Sequence, residues 1–577
     1  MSAGHPHDAE VLIIGAGFAG LTAARVLSAY GVRSKVLEAR NRLGGRAHTL
    51  ELMDEAMEPE VAEEGCNYLH GCSDDHPLFL LAARLGIPTA VATGDLGCQY
   101  GGWESAELAE WHDVDAGEEI PVEEVLDAAL LLQHVIYGVA VLAERDDADA
   151  TVEVLFERAL LEILDRRKAA GRRSEASLTA RERALIYKIR GRHLGYVAPC
   201  SRMPPTQIVA STSLARAEQI FRDGHWPHSE EGLHEGMLRL WRQKLAIIQS
   251  FSDGPKSSVT DEPEDDFEDR LLLGGGFRTF IDCLAENAQV LLDEVVKEVI
   301  QEEASVRMLC GPNRSLRAAF GLVTVPSGVL AELHPESQIR FDPPLPEEKM
   351  TAIRRLSIPR CGACTHEKVL LRWPKGSAFV LKKLDPAGAP LQFETTDARF
   401  HFLNLHKYGR RGQLLCHIWG DAQWEQHEHL SDEELVLEVV KGLRAMFPQD
   451  QELILLPPLY KVTRWSLDPF ALGAYTEFQA SAASEEDRTL YARAEQRLHF
   501  AGEGAICGDL GAQCTHGAVL SGAWAAVELL RRMQLEPVEL LKETATSGAR
   551  GPGDLDVAAL VELLATGRRK RKRVEST

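Results

Sequence analysis

The chain has 577 residues, 45% of them hydrophobic, which is enough for two or three packed domains and excludes a compositionally disordered protein. Its 63 Lys+Arg against 87 Asp+Glu leave a net charge of -24, which argues against direct nucleic-acid binding and favours small cations. The 11 cysteines, an odd number in a long chain, point to reduced thiols rather than a disulfide framework.

The polar opening residues are expected to carry no secretory or transit segment. They run into Glu10-Val11-Leu12-Ile13-Ile14, a short β-branched stretch that predicts a strand. A glycine-rich turn follows, then a helix over 21–30 and a second strand over 34–37, which together make a βαβ unit. Residues 102–265 are rich in Glu, Ala, Leu and Arg at helical spacing, with helices expected at 122–144, 152–169 and 178–196. The most apolar stretch, 128–143, is interrupted by Gln133 and His134 and falls short of the ~20 residues that span a bilayer, so a buried helix and no membrane partner are expected. Strands are predicted near 290–292, 318–325, 368–373 and 413–419, and a strand and turn over 499–503 precede a closing helix at 517–531. Beyond about 535 the pattern weakens, 547–554 reads as a linker, and Arg568 to Arg573 form a basic run. Cys361 and Cys364 have CxxC spacing without further ligand residues beside them, and read as chance spacing rather than a metal site.

Gly15-Ala16-Gly17-Phe18-Ala19-Gly20 stands between strand and helix. There Gly15 permits the turn, Gly17 lets backbone approach a pyrophosphate, and Gly20 allows the helix to pack on the strand. The helix N-terminus offers unpaired N–H donors to phosphate, and Glu38, ending the second strand, can accept from the ribose hydroxyls. A dinucleotide site follows. The continuation Glu38-Ala39-Arg40-Asn41-Arg42-Leu43-Gly44-Gly45-Arg46 resembles the extended fingerprint of the flavin-dependent amine oxidases, which implies FAD rather than a nicotinamide cofactor.

That resemblance continues in order to about residue 530 and is strongest for spermine and acetylpolyamine oxidases. Gly65-Cys66-Asn67-Tyr68-Leu69-His70-Gly71 is similar to the segment beneath the flavin, with His70 facing the substrate. Val296 matches the adenine-contacting position, and Lys368 matches the lysine that holds a water near the reactive flavin nitrogen. Thr463 to Tyr475 resembles the stretch leading to the flavin face, containing Trp465 and, as one wall of an aromatic cage, Tyr475. Ala474 stands where monoamine oxidases carry the flavin-bonded cysteine, which implies noncovalent FAD. Phe500-Ala501-Gly502-Glu503 and Thr515-His516-Gly517 resemble the closing signature, with Glu503 and Thr515 at the cofactor. Cys514 departs from the family, whose members place Tyr or Thr there as the second cage wall; this leaves the choice of amine open.

The resemblance implies an α/β fold: a Rossmann-like FAD-binding domain of the amine oxidase type, a mixed α+β substrate domain and a helical insertion. The expected segments are 8–101, 266–335 and 479–535 for FAD, 102–265 and 336–478 for substrate, and a C-terminal extension over 536–577. The implied partners are a cationic amine, expected to be a polyamine, and O2. Lys368, Tyr475 and His70 would serve hydride transfer to flavin, and Tyr475, His70 and Cys514 would contact substrate. A histone demethylase, an L-amino-acid oxidase and a silent flavoprotein are the alternatives. The expected location is cytoplasmic, or nuclear through the basic run; oligomeric state is not legible.

Overall fold

The computed structural model describes residues 7–54, 57–91, 109–145, 150–169, 177–194, 268–311, 314–331, 334–357, 365–418, 426–476, 484–543 and 551–568. Residues 195–265 of the expected helical block, Cys361, Cys364 and the basic run after Arg568 lie outside them.

The first strand, Val11–Ile14, lies at the centre of a parallel five-stranded sheet. The order is Val290–Leu291, Ser34–Leu37, Val11–Ile14, Phe320–Val323 and Leu498–Phe500, so the sheet draws on segments almost 500 residues apart. Val11 and Ile13 point into one hydrophobic core, with helices Phe18–Ala29 and Thr515–Arg532, while Leu12 and Ile14 point into another. A parallel sheet buried on both faces needs such a continuous apolar strand, and Val-Leu-Ile-Ile supplies it. The opposite face is covered by a four-stranded sheet made of Arg314–Ala318, Val306–Cys310, Val296–Gln301 and Arg340–Asp342. The two helices approach so closely that a Cβ on Gly522 would lie 2.2 Å from the Ala19 carbonyl oxygen.

A second layer is a seven-stranded mixed sheet, with Glu367–Arg372 paired between Leu459–Val462 and Gln413–Ile418. All six residues of Glu367–Arg372 are buried: Val369 and Leu371 pack towards helix Asp432–Met446, and Leu370 towards Leu403 and Leu415. Helices Val122–Arg145, Val152–Ala169 and Ala180–Leu194 form a separate core. The 24-residue Val122–Arg145 helix corrects the length argument drawn from 128–143, since it is long and apolar enough to cross a bilayer. Its most apolar window is 83% buried against the two neighbouring helices, and this burial makes it a core helix.

The chain beyond 535 packs rather than trails. Leu540, Leu541, Leu555, Leu560, Leu563 and Leu564 enter the core beside the nucleotide-type sheet. Buried Arg25 donates to the Leu564 carbonyl at 3.2 Å and to the Glu286 carboxylate at 2.7 Å, which joins helix Val557–Thr566 to the first helix.

Candidate active site

A cavity of about 540 Å³ runs along the carboxyl ends of the parallel strands and on to the wall of the seven-stranded sheet. At one end the glycine turn does what its spacing requires. Gly15 has φ +104°, in the left-handed region, and a Cβ on Gly20 would lie 2.0 Å from the Gly15 carbonyl oxygen. Around a Cβ on Gly17 the nearest atom from another part of the chain, the Gly44 carbonyl oxygen, is 3.9 Å away, because that space belongs to the cavity. The helix that begins at Phe18 has neither a side-chain cap nor an acidic residue in its first turn, so its N–H donors face the cavity without a competing carboxylate.

Glu38 is 4% exposed and is fixed by Ala16 N–H at 2.7 Å and Arg40 N–H at 2.9 Å. Arg40 pairs with Asp468 at 2.8 Å, and Arg46 donates to Glu503 at 2.9 Å and to the Ala474 carbonyl at 3.0 Å. Glu503 also accepts from Thr476, tying the Trp465 to Tyr475 loop to the strand-end turn at Gly502. Val296, Gly45 and Gly65 line the same cavity. A second helix, Thr515–Arg532, likewise presents an N-terminus without a side-chain cap or first-turn acid, and Thr515 lines the cavity beside it. Backbone donors at two helix ends, a Cβ-free cradle at Gly17 and the Glu38 carboxylate suit the phosphates and ribose of FAD. Ala474 offers no sulfur for a thioether.

At the other end the seven-stranded sheet supplies Lys368, 7% exposed, whose Nζ donates to the Gly65 carbonyl. Neighbouring Glu367 fixes the loop carrying Trp465 and Tyr475: its buried carboxylate accepts from Thr463 Oγ1 at 2.7 Å, Trp465 N at 2.9 Å, and Ser466 N and Oγ at 2.8 Å. Trp465 Nε1 donates to the Glu64 carbonyl at 3.2 Å, so this loop and Lys368 both hold the segment at 64–65. His70 lies on Tyr68–Cys72, which pairs antiparallel with Glu268–Leu272 and so meets Asp269. Asp269 Oδ2 lies 2.9 Å from His70 Nδ1, and Oδ1 accepts Gly71 N–H at 2.8 Å. Cys514 also faces the cavity; burial, with Asp269 and Glu503 nearby, pushes its thiol up to about 12, so it stays protonated. His516 turns away to pack on His76, with ring centroids 4.3 Å apart.

All the sequence-selected residues therefore border one cavity or brace its walls. Sequence reasoning missed Asp269, His366 and His417. Asp269 reaches His70 only through a strand pairing that spans about 200 residues. His366 had a local signal, two positions before Lys368 and hence on the same side of an extended segment. His417 sits opposite Lys368 in the next strand.

The model of the family described as flavin containing amine oxidoreductase matches residues 18–530. Polyamine oxidase 5 of Oryza sativa subsp. japonica is 27% identical, covering 91% of this chain and 89% of its own. Lysine-specific histone demethylase 1 homolog 1 of Arabidopsis thaliana is 25% identical, covering 95% of this chain and 54% of its own. Among solved structures, putrescine oxidase bound to putrescine is similar with a TM-score of 0.57 at 20% identity, covering 91% of this chain and 99% of that one. Cyclohexylamine oxidase from Brevibacterium oxydans gives 0.56 at 18% identity, covering 92% and 100%. These structures share the α/β fold seen here. The chain therefore belongs to the flavin-containing amine oxidoreductases, and it is an amine oxidase whose cofactor is FAD.

Proposed function

We propose that the substrate is a polyamine, oxidised at a carbon adjoining one of its nitrogens. The observation that carries this reading is the Asp269–His70 pair, a carboxylate braced by an imidazole in the cavity that also holds Tyr475 and Lys368. A monoamine needs one polar station; a polyamine needs a second for its remaining charge, and Asp269 supplies it. The net charge of -24 adds long-range attraction for a polycation. The 27%-identical polyamine oxidase supports the same class.

When bound, FAD would be held by the Gly17 cradle, Glu38 and the two helix N-termini, and would supply the hydride acceptor and the reducing power that turns O2 into hydrogen peroxide. Tyr475 holds the reacting nitrogen against its ring face, while His70 and Asp269 hold a distal nitrogen. The apolar walls favour the neutral amine, whose nitrogen lone pair expels hydride from the adjoining carbon. Lys368 orients a water at the reacting end. Water then adds to the carbon of the resulting imine, and the carbon–nitrogen bond breaks to give an aldehyde and a shorter amine. Cys514, a small protonated thiol on the cavity wall, leaves room in the cavity that Tyr475 also lines.

The test is aerobic turnover with spermine, spermidine, N-acetylated polyamines, a monoamine and a methyl-lysine peptide, with peroxide and aldehyde both measured. Polyamine turnover with equal yields of the two supports the reading. Turnover of the methyl-lysine peptide in preference to every polyamine replaces it with a demethylase.

A further inference from the structure

His366 joins the substrate wall to the interior. Its Nδ1 lies 3.3 Å from the Tyr475 hydroxyl, with the rings edge-on at 87°, and its Nε2 lies 2.8 Å from His417 Nδ1. All three residues line the cavity. His417 is the cross-strand partner of both Lys368 and His401, and His401 is itself 2.9 Å from the Glu394 carboxylate. These contacts run from the hydroxyl of Tyr475, whose ring holds the reacting amine, into the interior.

An alkylammonium resembles the lysine side chain, with a pKa of about 10.4, so the amine arrives protonated at neutral pH and must lose that proton before hydride can leave. We propose that His366 and His417 form the outlet for this proton. The ammonium N–H gives its proton to the Tyr475 oxygen as the Tyr475 O–H passes its own to His366 Nδ1. His366 Nε2–H hands on to His417 Nδ1. One positive charge thereby moves from substrate nitrogen to His417, and His366 ends neutral with its proton on the other nitrogen. Burial, followed by the charges of Lys368, His401 and His70, holds the His366 imidazole well below its usual range, which suits a group that relays a proton without storing it. The inference rests on amine oxidation at this site but not on which amine is oxidised.

The test uses the flavin-loaded enzyme. Anaerobic flavin bleaching by a turned-over amine is followed from pH 6 to 10 in the wild type, His366→Asn and Tyr475→Phe, with His366→Gln replacing any Asn variant that loses flavin. At pH 7 His366→Asn should bleach about 100-fold more slowly, approaching the wild-type rate near pH 10, where a substantial fraction of the free amine is neutral. Imidazole in solution should restore His366→Ala at pH 7. A second readout needs no turnover: tert-octylamine, which has no hydrogen on the carbon next to nitrogen, is added to protein with 15N-labelled histidine. A resonance assigned through His417→Asn should shift on binding in the wild type, as the hydrogen-bond chain from the ammonium reaches His417, and not in His366→Asn. Parallel pH profiles, or a His417 resonance that does not respond, overturn the relay. A wild type that no amine bleaches overturns the oxidation reading instead.

Discussion

Replacing Asp269 with Asn removes one charge and little else. The side chain is 5% exposed, and the Oδ1 that accepts Gly71 N–H at 2.8 Å survives in the amide, so the strand pairing that places His70 should persist. What is lost is the negative oxygen 2.9 Å from His70 Nδ1 and the partner for a distal ammonium. A hydrogen bond to a charged group contributes about 1.5–3 kcal/mol, and about 1.4 kcal/mol is tenfold in affinity, so spermine should bind about 10- to 150-fold more weakly. A monoamine of similar apolar bulk, such as hexylamine, should lose less than about threefold, because it presents nothing to Asp269. Half-saturation of anaerobic flavin bleaching gives both values on one preparation, with flavin absorbance as the control for site integrity. Equal losses for spermine and hexylamine, or no loss for spermine, would refute the second-station argument.

Four further outcomes follow from the same geometry. Gly20→Ala should destabilise the fold by about 1–3 kcal/mol and release flavin, since its Cβ meets the Gly15 carbonyl at 2.0 Å. Gly17→Ala, whose Cβ enters only the cavity, should keep the melting temperature of the flavin-free protein while lowering flavin content. Buried Glu63 is pushed up to about 7 by burial, against hydrogen bonds from Phe277 N–H and Thr49 and the charge of Arg410. Because folding raises its affinity for a proton, stability should fall as pH climbs from about 4.5 to 7, by about 3 kcal/mol, and Glu63→Gln should flatten that slope in thermal melts. Acid precipitation should leave all the flavin in the supernatant, because Ala474 carries no sulfur; flavin retained in the pellet would place a covalent link elsewhere.

The parts legible in the sequence are those whose physics is local. The turn at Gly15, the close approach at Gly20 and the carboxylate of Glu38 lie within one βαβ unit, and composition and spacing disclose them. Helix Val152–Ala169 is read to the residue because its apolar stripe is regular, and the helix expected at 122–144 is found over Val122–Arg145, although its most apolar core, 128–143, is shorter than the helix because the first turn carries Glu123 and Glu124. Asp269 and His417 come to the cavity by strand pairing at long range, and no local period marks such a partner. The packing of Val557–Thr566 was readable in principle: Leu560, Val561, Leu563 and Leu564 follow helical spacing, yet the glycine- and proline-rich approach at 547–554 suggested a loose extension.

The central claim is that one cavity binds FAD and a polyamine so that hydride leaves a carbon beside nitrogen. Mixing the yellow protein anaerobically with spermine, spermidine, N-acetylated polyamines and hexylamine, and following flavin absorbance, tests it most directly. The account predicts rapid bleaching by at least one polyamine, at concentrations well below those at which hexylamine acts. Flavin that stays oxidised with every polyamine, or bleaches as readily with hexylamine, would contradict it.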